Sequence, residues 1–394
     1  MKMEKKKVLR ELLEQLHKGV APEEVKERFK QVLESITPLE IAKIEEELIK
    51  EGIPREEIRR LCDVHLAVFR EQLEGQKIEV PMGHAIGILM GEHKILLELQ
   101  EKLNSIAAEQ SPDLAKLKQI AMDFLDAEKH YLREENVLFP VLEKHGITEP
   151  PAIMWMEHNQ LREKKKALRD LIESYNTISL EVFKKRLSES AEALSNLLSS
   201  HIFKENNILF PAALRVVTEQ EWRDIRIEFD EIGYPRFTPP HLIVPLPLEA
   251  EKPAVALPEL LEFETGSLSK EEIEAILDTL PVDITFVDKD DSVKYFSKAE
   301  KRIFVRTKAI IGRKVQLCHP QKSVHIVNKI LEAFKAGKKN SAEFWIRKGE
   351  SLIYIRYFAV RDKTGKYLGT LEVTQDITDI KKIEGEKRLL GWEE

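Results

Sequence analysis

Cysteine, long apolar runs and blocks of basic charge are what this 394-residue sequence has least of. Its two cysteines, Cys62 and Cys318, lie far apart and in what read as different domains. No disulfide framework is expected, and a reducing cytoplasm is the natural compartment. No apolar run approaches the length of a membrane span, which removes the bilayer as a partner. Charged residues make up 33% of the chain, yet the formal net charge is only −7. No basic block of the kind that tracks phosphate backbones occurs, so nucleic acid is not an expected partner. The opening MKMEKKKVLRELLEQLHKG is positive but has no apolar core behind the charge, so it reads as a solvated helix and not as a signal peptide.

What is present suggests several domains. Residues 1–75 read as four short amphipathic helices, punctuated by Gly19, Pro22, Pro38 and Gly52, that form a small bundle or a cap on something larger. Helical spacing puts Cys62 and His65 on one face there, either as a metal or redox pair or as a buried thiol beside a satisfied histidine. Residues 80–215 read as four long helices, roughly 82–110, 112–145, 150–175 and 179–215, whose short turns imply an up-down bundle. A helix and a proline-rich linker follow over 216–265; seven of the 18 prolines fall here, and the aliphatic residues between them favour a strap lying on a surface. Residues 266–380 read as two strands, helices and three strands, an α+β domain with a five-stranded antiparallel sheet. Ser269 with Glu272 three residues on marks its first helix start. Residues 381–394 form a tail.

The bundle carries an internal repeat. HYLREENVLFP begins at His130 and HIFKENNILFP at His201, and GEHKILLEL around His93 corresponds to MEHNQLREK around His158. A His and a Glu four apart lie one above the other on a helix face. His130 and Glu134 share theirs with Ala127, Val137 and Val141; His201 and Glu205 share theirs with Leu194, Leu198 and Ile208. Charged groups on the inward face of a bundle are costly unless paired or metal-bound. Four imidazoles and two carboxylates together suit iron or manganese better than a closed zinc site. Satisfied core histidines are the alternative. Glu92 and Glu157, just before their histidines, point off the metal face, toward solvent or toward support of the ligands.

The set His93, His130-x-x-x-Glu134, His158, His201-x-x-x-Glu205 resembles a hemerythrin-like (HHE) di-iron domain over about residues 80–215. The resemblance implies two non-haem iron ions joined by an oxo or hydroxo bridge. Glu134 and Glu205 would then be bridging ligands, and the four histidines terminal ones. Four histidines shared equally leave both irons an open position, whereas dioxygen-carrying hemerythrins have a fifth histidine. His84, in PMGHAIG, is the candidate for a fifth: it returns to nearly the same face but sits well up the axis, so ligation needs a helix break. Residues 1–75, with LLEQLHKG, EEELIKEG and LCDVH, resemble a helical domain of unknown function often found ahead of HHE domains. Residues 266–380, with FWIRKG, IRYFAVRD and LEVTQDIT, resemble a PAS sensor domain. Within it, LCHP offers His319 as a haem ligand and Cys318 as a thiol; an apolar core filled by its own side chains is the alternative.

These resemblances imply a cytoplasmic sensor whose di-iron site meets dioxygen, nitric oxide or redox change, with the PAS domain as relay or second sensor. No kinase, cyclase or helix-turn-helix motif occurs, so output is expected through a protein partner or an altered assembly such as a PAS-mediated homodimer. A di-iron enzyme that reduces dioxygen, peroxide or nitric oxide, or assists iron–sulfur repair, is the second class. Iron or oxygen storage is the third.

Overall fold

The computed structural model describes residues 11, 47, 51–52, 78–244, 260–299 and 302–387. Apart from those isolated positions, the helices expected over 1–75 lie outside the described residues, as do Cys62, His65, residues 245–259 and the end of the tail. The chain divides into two compact units, Met1–Leu248 and Glu249–Glu394.

The first unit is helical. Among the described residues its α-helices are α1 Ala85–Ala107, α2 Leu114–Asp126, α3 Glu128–Arg133, α4 Phe139–Lys144, α5 Glu149–Glu173, α6 Leu180–Lys204, α7 Phe210–Val216 and α8 Glu219–Ile232. Side-chain caps set several starts: Asp113 accepts from Ala115 and Lys116, and Ser179 accepts from Val182. Thr218 and Glu221 form a reciprocal capping pair at α8, satisfying two otherwise orphaned donors. α1 packs on α2 and α6, and α5 packs on the same two, which closes a four-helix ring. Its apolar core holds Leu103, Leu117, Phe124, Leu161, Leu168, Phe183, Leu187, Leu194 and Leu198, all buried. Each such side chain contributes about 1.5–3 kcal/mol on leaving water.

Gly233, at φ 82°, ends α8 and turns the chain back along the bundle. Residues 234–244 then lie against it as a strap. Lys129 Nζ donates to the Tyr234 carbonyl at 2.9 Å, and the Arg236 amide donates to Asp126 at 2.6 Å. The buried Arg226 reaches the carbonyls of Gly83 and Val244 at 3.1 and 3.2 Å. Leu242 packs close on α1, where a Cβ on Gly91 would fall 2.1 Å from its Cδ1 and push that side chain aside.

The second unit has a short hairpin, β1 Leu260–Phe263 with β2 Gly266–Ser269, whose first strand lies where the sequence reading placed the end of the linker. The chain reverses at Glu264 and Thr265, and Gly266 opens β2 at a φ of 148° that only glycine adopts easily. After α9 (Lys270–Thr279), capped by the Ser269–Glu272 pair, come β3 Asp283–Asp288, β4 Val293–Phe296, α10 Gln321–Lys335, β5 Ser341–Lys348, β6 Ser351–Arg361 and β7 Tyr367–Asp376. These five strands make one antiparallel sheet in the order β4-β3-β7-β6-β5. The architecture is the helical bundle followed by an α+β domain that the sequence implies.

Candidate metal centre

Both repeat copies contain a π-helical turn, Glu134–Leu138 and Glu205–Leu209. Each begins on the glutamate of its His-x-x-x-Glu pair. The cause is local. Pro140 and Pro211 have no amide proton and crowd the carbonyl four residues back, so an ordinary α-turn cannot pass through them. The wider turn bonds Phe139 N–H to the Glu134 carbonyl and Phe210 N–H to that of Glu205, five residues back. Asn136 Nδ2 adds a donor to the Leu132 carbonyl at 2.9 Å, and Asn207 Nδ2 does the same for Phe203 at 2.8 Å. The Asn and Leu-Phe-Pro of the repeat are therefore the chemistry of a widened turn.

The two turns present their glutamates to four histidines deep in the bundle. Glu205 Oε2 lies 3.0 Å from His93 Nε2, while its Oε1 lies 2.9 Å from His201 Nε2 and 3.7 Å from His158 Nε2. Glu134 Oε2 lies 3.4 Å from His130 Nε2 and 3.3 Å from His158 Nε2. His93 and His130 bring their Nε2 atoms to 3.2 Å of each other. All six side chains are buried, and both oxygens of Glu134 and Glu205, with Nε2 of His158 and His201, have no hydrogen-bond partner. Buried polar atoms left so are costly, and a cation among them removes the cost. Two sets converge within 4.8 Å: Glu134, His158, His201 and Glu205, and His93, His130 and Glu205. The Phe of each repeat closes the site, Phe210 stacking on His93 at 5.6 Å and Phe139 on His158 at 5.8 Å.

Every histidine turns Nε2 inward and is held from behind at Nδ1. Nδ1 of His130 donates to Glu92 at 2.6 Å, that of His158 to Glu135 at 2.8 Å and that of His201 to Glu157 at 2.9 Å; His93 Nδ1 meets Asn206 Oδ1 at 2.9 Å. Such partners fix the tautomer and raise ligand basicity. Glu92 and Glu157 are thus fully buried supports with no solvated role, Glu92 on α1 holding His130 on α3 and Glu157 on α5 holding His201 on α6. Each carboxylate has a cation: Arg133 on Glu92, Arg162 on Glu135 and Lys204 on Glu157. Burial pushes the Glu92 carboxyl up, but the Arg133 charge and hydrogen bonds from His130 and Thr238 outweigh it and hold its pKa at about 2. Burial pulls His158 down, yet the surrounding carboxylates of Glu134, Glu135 and Glu205 hold it well above the usual imidazole value. A cation here would compete with such protons. Glu135, Asn206 and the three cations went unnoticed in the sequence; Arg133 and Lys204, equivalent basic residues of the two copies, were the available signal.

His84 joins neither convergent set. Its Nδ1 accepts from the Ile86 amide at 3.2 Å, capping α1, and its ring packs 4.6 Å from Trp222. Beside the cluster, the buried Tyr131 stacks on His158 at 4.2 Å and accepts from Lys165 Nζ at 2.6 Å. In the second unit a cavity of about 330 Å³ lies between α10 and the sheet. Aliphatic side chains such as Ile326, Ile330 and Ile355 line it, with His319, Tyr357 and Glu372 as polar points. His319 Nδ1 donates to the Val315 carbonyl at 2.8 Å, and burial lowers its pKa. Cys318 is half-buried with Sγ 3.8 Å from the Lys314 carbonyl, and it is not among the lining residues.

Residues 84–213 match the model of the hemerythrin HHE cation-binding domain. The bundle is a hemerythrin HHE domain. Residues 9–75 match a family of unknown function, and residues 273–378 match a PAS domain. No curated protein matches the chain. Among solved structures, a C-terminal domain from Streptococcus mutans is 35% identical, with 32% of this chain and 98% of that one covered and a TM-score of 0.31. A sensory box sensor histidine kinase from Vibrio cholerae is 12% identical over 27% of this chain and 89% of that one, TM-score 0.22. A PAS domain from Colwellia psychrerythraea is 17% identical over 28% and 97%, TM-score 0.23. The HHE domain binds metal cations, and the buried His/Glu cluster could hold a metal. Among the described residues no helix is long and apolar enough to cross a membrane.

Proposed function

We propose that His93, His130, Glu134, His158, His201 and Glu205 hold two iron ions, with both glutamates bridging. One observation carries this: Glu205 offers one oxygen to His93 and the other to His201, so a single carboxylate faces both histidine pairs. Mixed imidazole and carboxylate donors favour iron over structural zinc. Bound iron supplies one-electron redox change and open coordination positions for dioxygen or nitric oxide. The chain's own side chains hold the ligands in one tautomer and keep water out with Phe139 and Phe210.

The reading as a cytoplasmic sensor rests on the strap. Thr238 donates to Glu92 at 2.7 Å, and Glu92 holds His130, so the segment leading toward the PAS domain touches the support of an iron ligand. A change at His130 alters what the strap binds, and the coupling is reciprocal. The PAS domain serves as relay or second sensor, its cavity open to a small ligand with His319 on the wall. Output passes to a protein partner or a PAS homodimer; Trp345 on edge strand β5 is 64% exposed. The test is anaerobic absorption spectroscopy of the iron-loaded chain before and after oxygen or nitric oxide, with hydrogen exchange of residues 340–377 in both states. Exchange indifferent to iron oxidation state removes the sensor reading.

A second reading, an enzyme reducing dioxygen, peroxide or nitric oxide, is favoured by four histidines converging without His84, since ions held by two histidines each would keep room for a substrate. Rapid multiple turnover with a reductant would establish it.

A further inference from the structure

The two halves of the site are built from the same repeat but are not supported equally. Glu135 and Asn206 occupy the same place in HYLREENVLFP and HIFKENNILFP, directly after the bridging-type glutamate. Both reach across to the other hairpin and hold a histidine by Nδ1. Glu135 gives His158 a buried carboxylate, fixed by Arg162 through 2.8 and 3.1 Å hydrogen bonds. Asn206 gives His93 only a neutral amide oxygen, on a half-buried residue. With His93 Nε2 given to a cation beside Glu205, its Nδ1 would carry the proton and the Asn206 oxygen would accept it. An amide draws less on that proton than a carboxylate, so the His93 ring donates less electron density to a cation.

Resting on the two-cation reading above, we propose that the positions are unequal by construction: His158 and His201 hold the tight cation, His93 and His130 the labile, exchangeable one, and Asn206 sets the difference. Asn206 is a positioning residue that acts through His93. The ligand class is a divalent first-row transition cation. The weaker position is the one whose His130 is tied through Glu92 to Thr238 of the strap, so the exchangeable ion is also the one the strap feels.

The test is a stepwise titration of the metal-free full-length chain with Co(II), followed by its visible spectrum and by calorimetry. The wild type should take two ions in two resolved steps, separated on the order of 10–100-fold in affinity. Asn206→Asp should tighten the weaker step and close much of that gap, whereas Glu135→Gln should weaken the tighter one. His93→Ala should erase the weak step and leave the strong one, which assigns the steps to positions even if Asn206→Asp folds poorly. Two ions bound with one common affinity, or a gap that Asn206→Asp leaves unchanged in a folded protein, overturns the proposal. Loss of the strong step in His93→Ala overturns it as well. A wild type that takes no more than one ion overturns the two-cation reading itself and the proposal with it.

Discussion

Thr238 donates its hydroxyl to Glu92 at 2.7 Å, and the other oxygen of Glu92 holds His130 Nδ1 at 2.6 Å. Three residues from distant parts of the chain thus make one line from the strap to the centre of the bundle. Thr238→Val keeps the shape and removes the donor. The expected result is retention of both ions, a loss of about 1 kcal/mol of stability and a shifted reduction midpoint. Hydrogen exchange of residues 340–377 should also lose its dependence on iron oxidation state. Spectroelectrochemistry and exchange mass spectrometry read the two effects.

Glu205 faces both histidine pairs, so its removal should not cost one ion alone. Glu205→Ala is expected to release both ions together, and Glu134→Ala to lower iron content far below wild type. Both should destabilise the bundle, because several buried imidazoles lose their partner. Elemental analysis after iron-supplemented expression checks this. One zinc and no iron would contradict it.

His84 caps α1 through Nδ1 and packs against Trp222. His84→Ala is expected to keep full metal content and an unchanged ferric spectrum with azide, while lowering stability by about 1 kcal/mol through the lost cap. A changed azide stoichiometry would instead make His84 a ligand.

Lys165 has its pKa lowered by burial from 10.5 to about 7. Above pH 7 and up to the unfolded value, the unfolded chain binds more protons than the folded one, so this group makes stability rise with pH across that window. Below pH 7 both states hold the proton and the full cost of burying the charge remains. Lys165→Met should therefore stabilise the fold most near pH 6, by on the order of a few kcal/mol less the Tyr131 hydrogen bond, and raise the melting temperature accordingly, with the gain fading toward pH 10. Melts of both proteins across that range decide it.

The bundle, the sheet and six convergent residues were legible because each left a periodic trace. His130 and Glu134 repeat at His201 and Glu205, and alternation with turn residues marks β3 to β7. The π-turns were not read, although their cause, Pro140 and Pro211 with Asn136 and Asn207, stood in the repeat. Sequence spacing alone assumes a uniform helix, and the widened turn breaks that assumption at the glutamates.

The sequence by itself determined which chemistry could be assembled: imidazoles and carboxylates at helical spacing, twice, on apolar faces too costly to leave unpaired. Only the tertiary structure decided how the groups are shared. That Glu92 serves His130 and not its neighbour His93, that Asn206 crosses to the other hairpin, and that Thr238 reaches Glu92 are all contacts between distant segments. Such contacts are fixed by packing of one helix against another, and no local periodicity encodes which partner a buried polar atom will find.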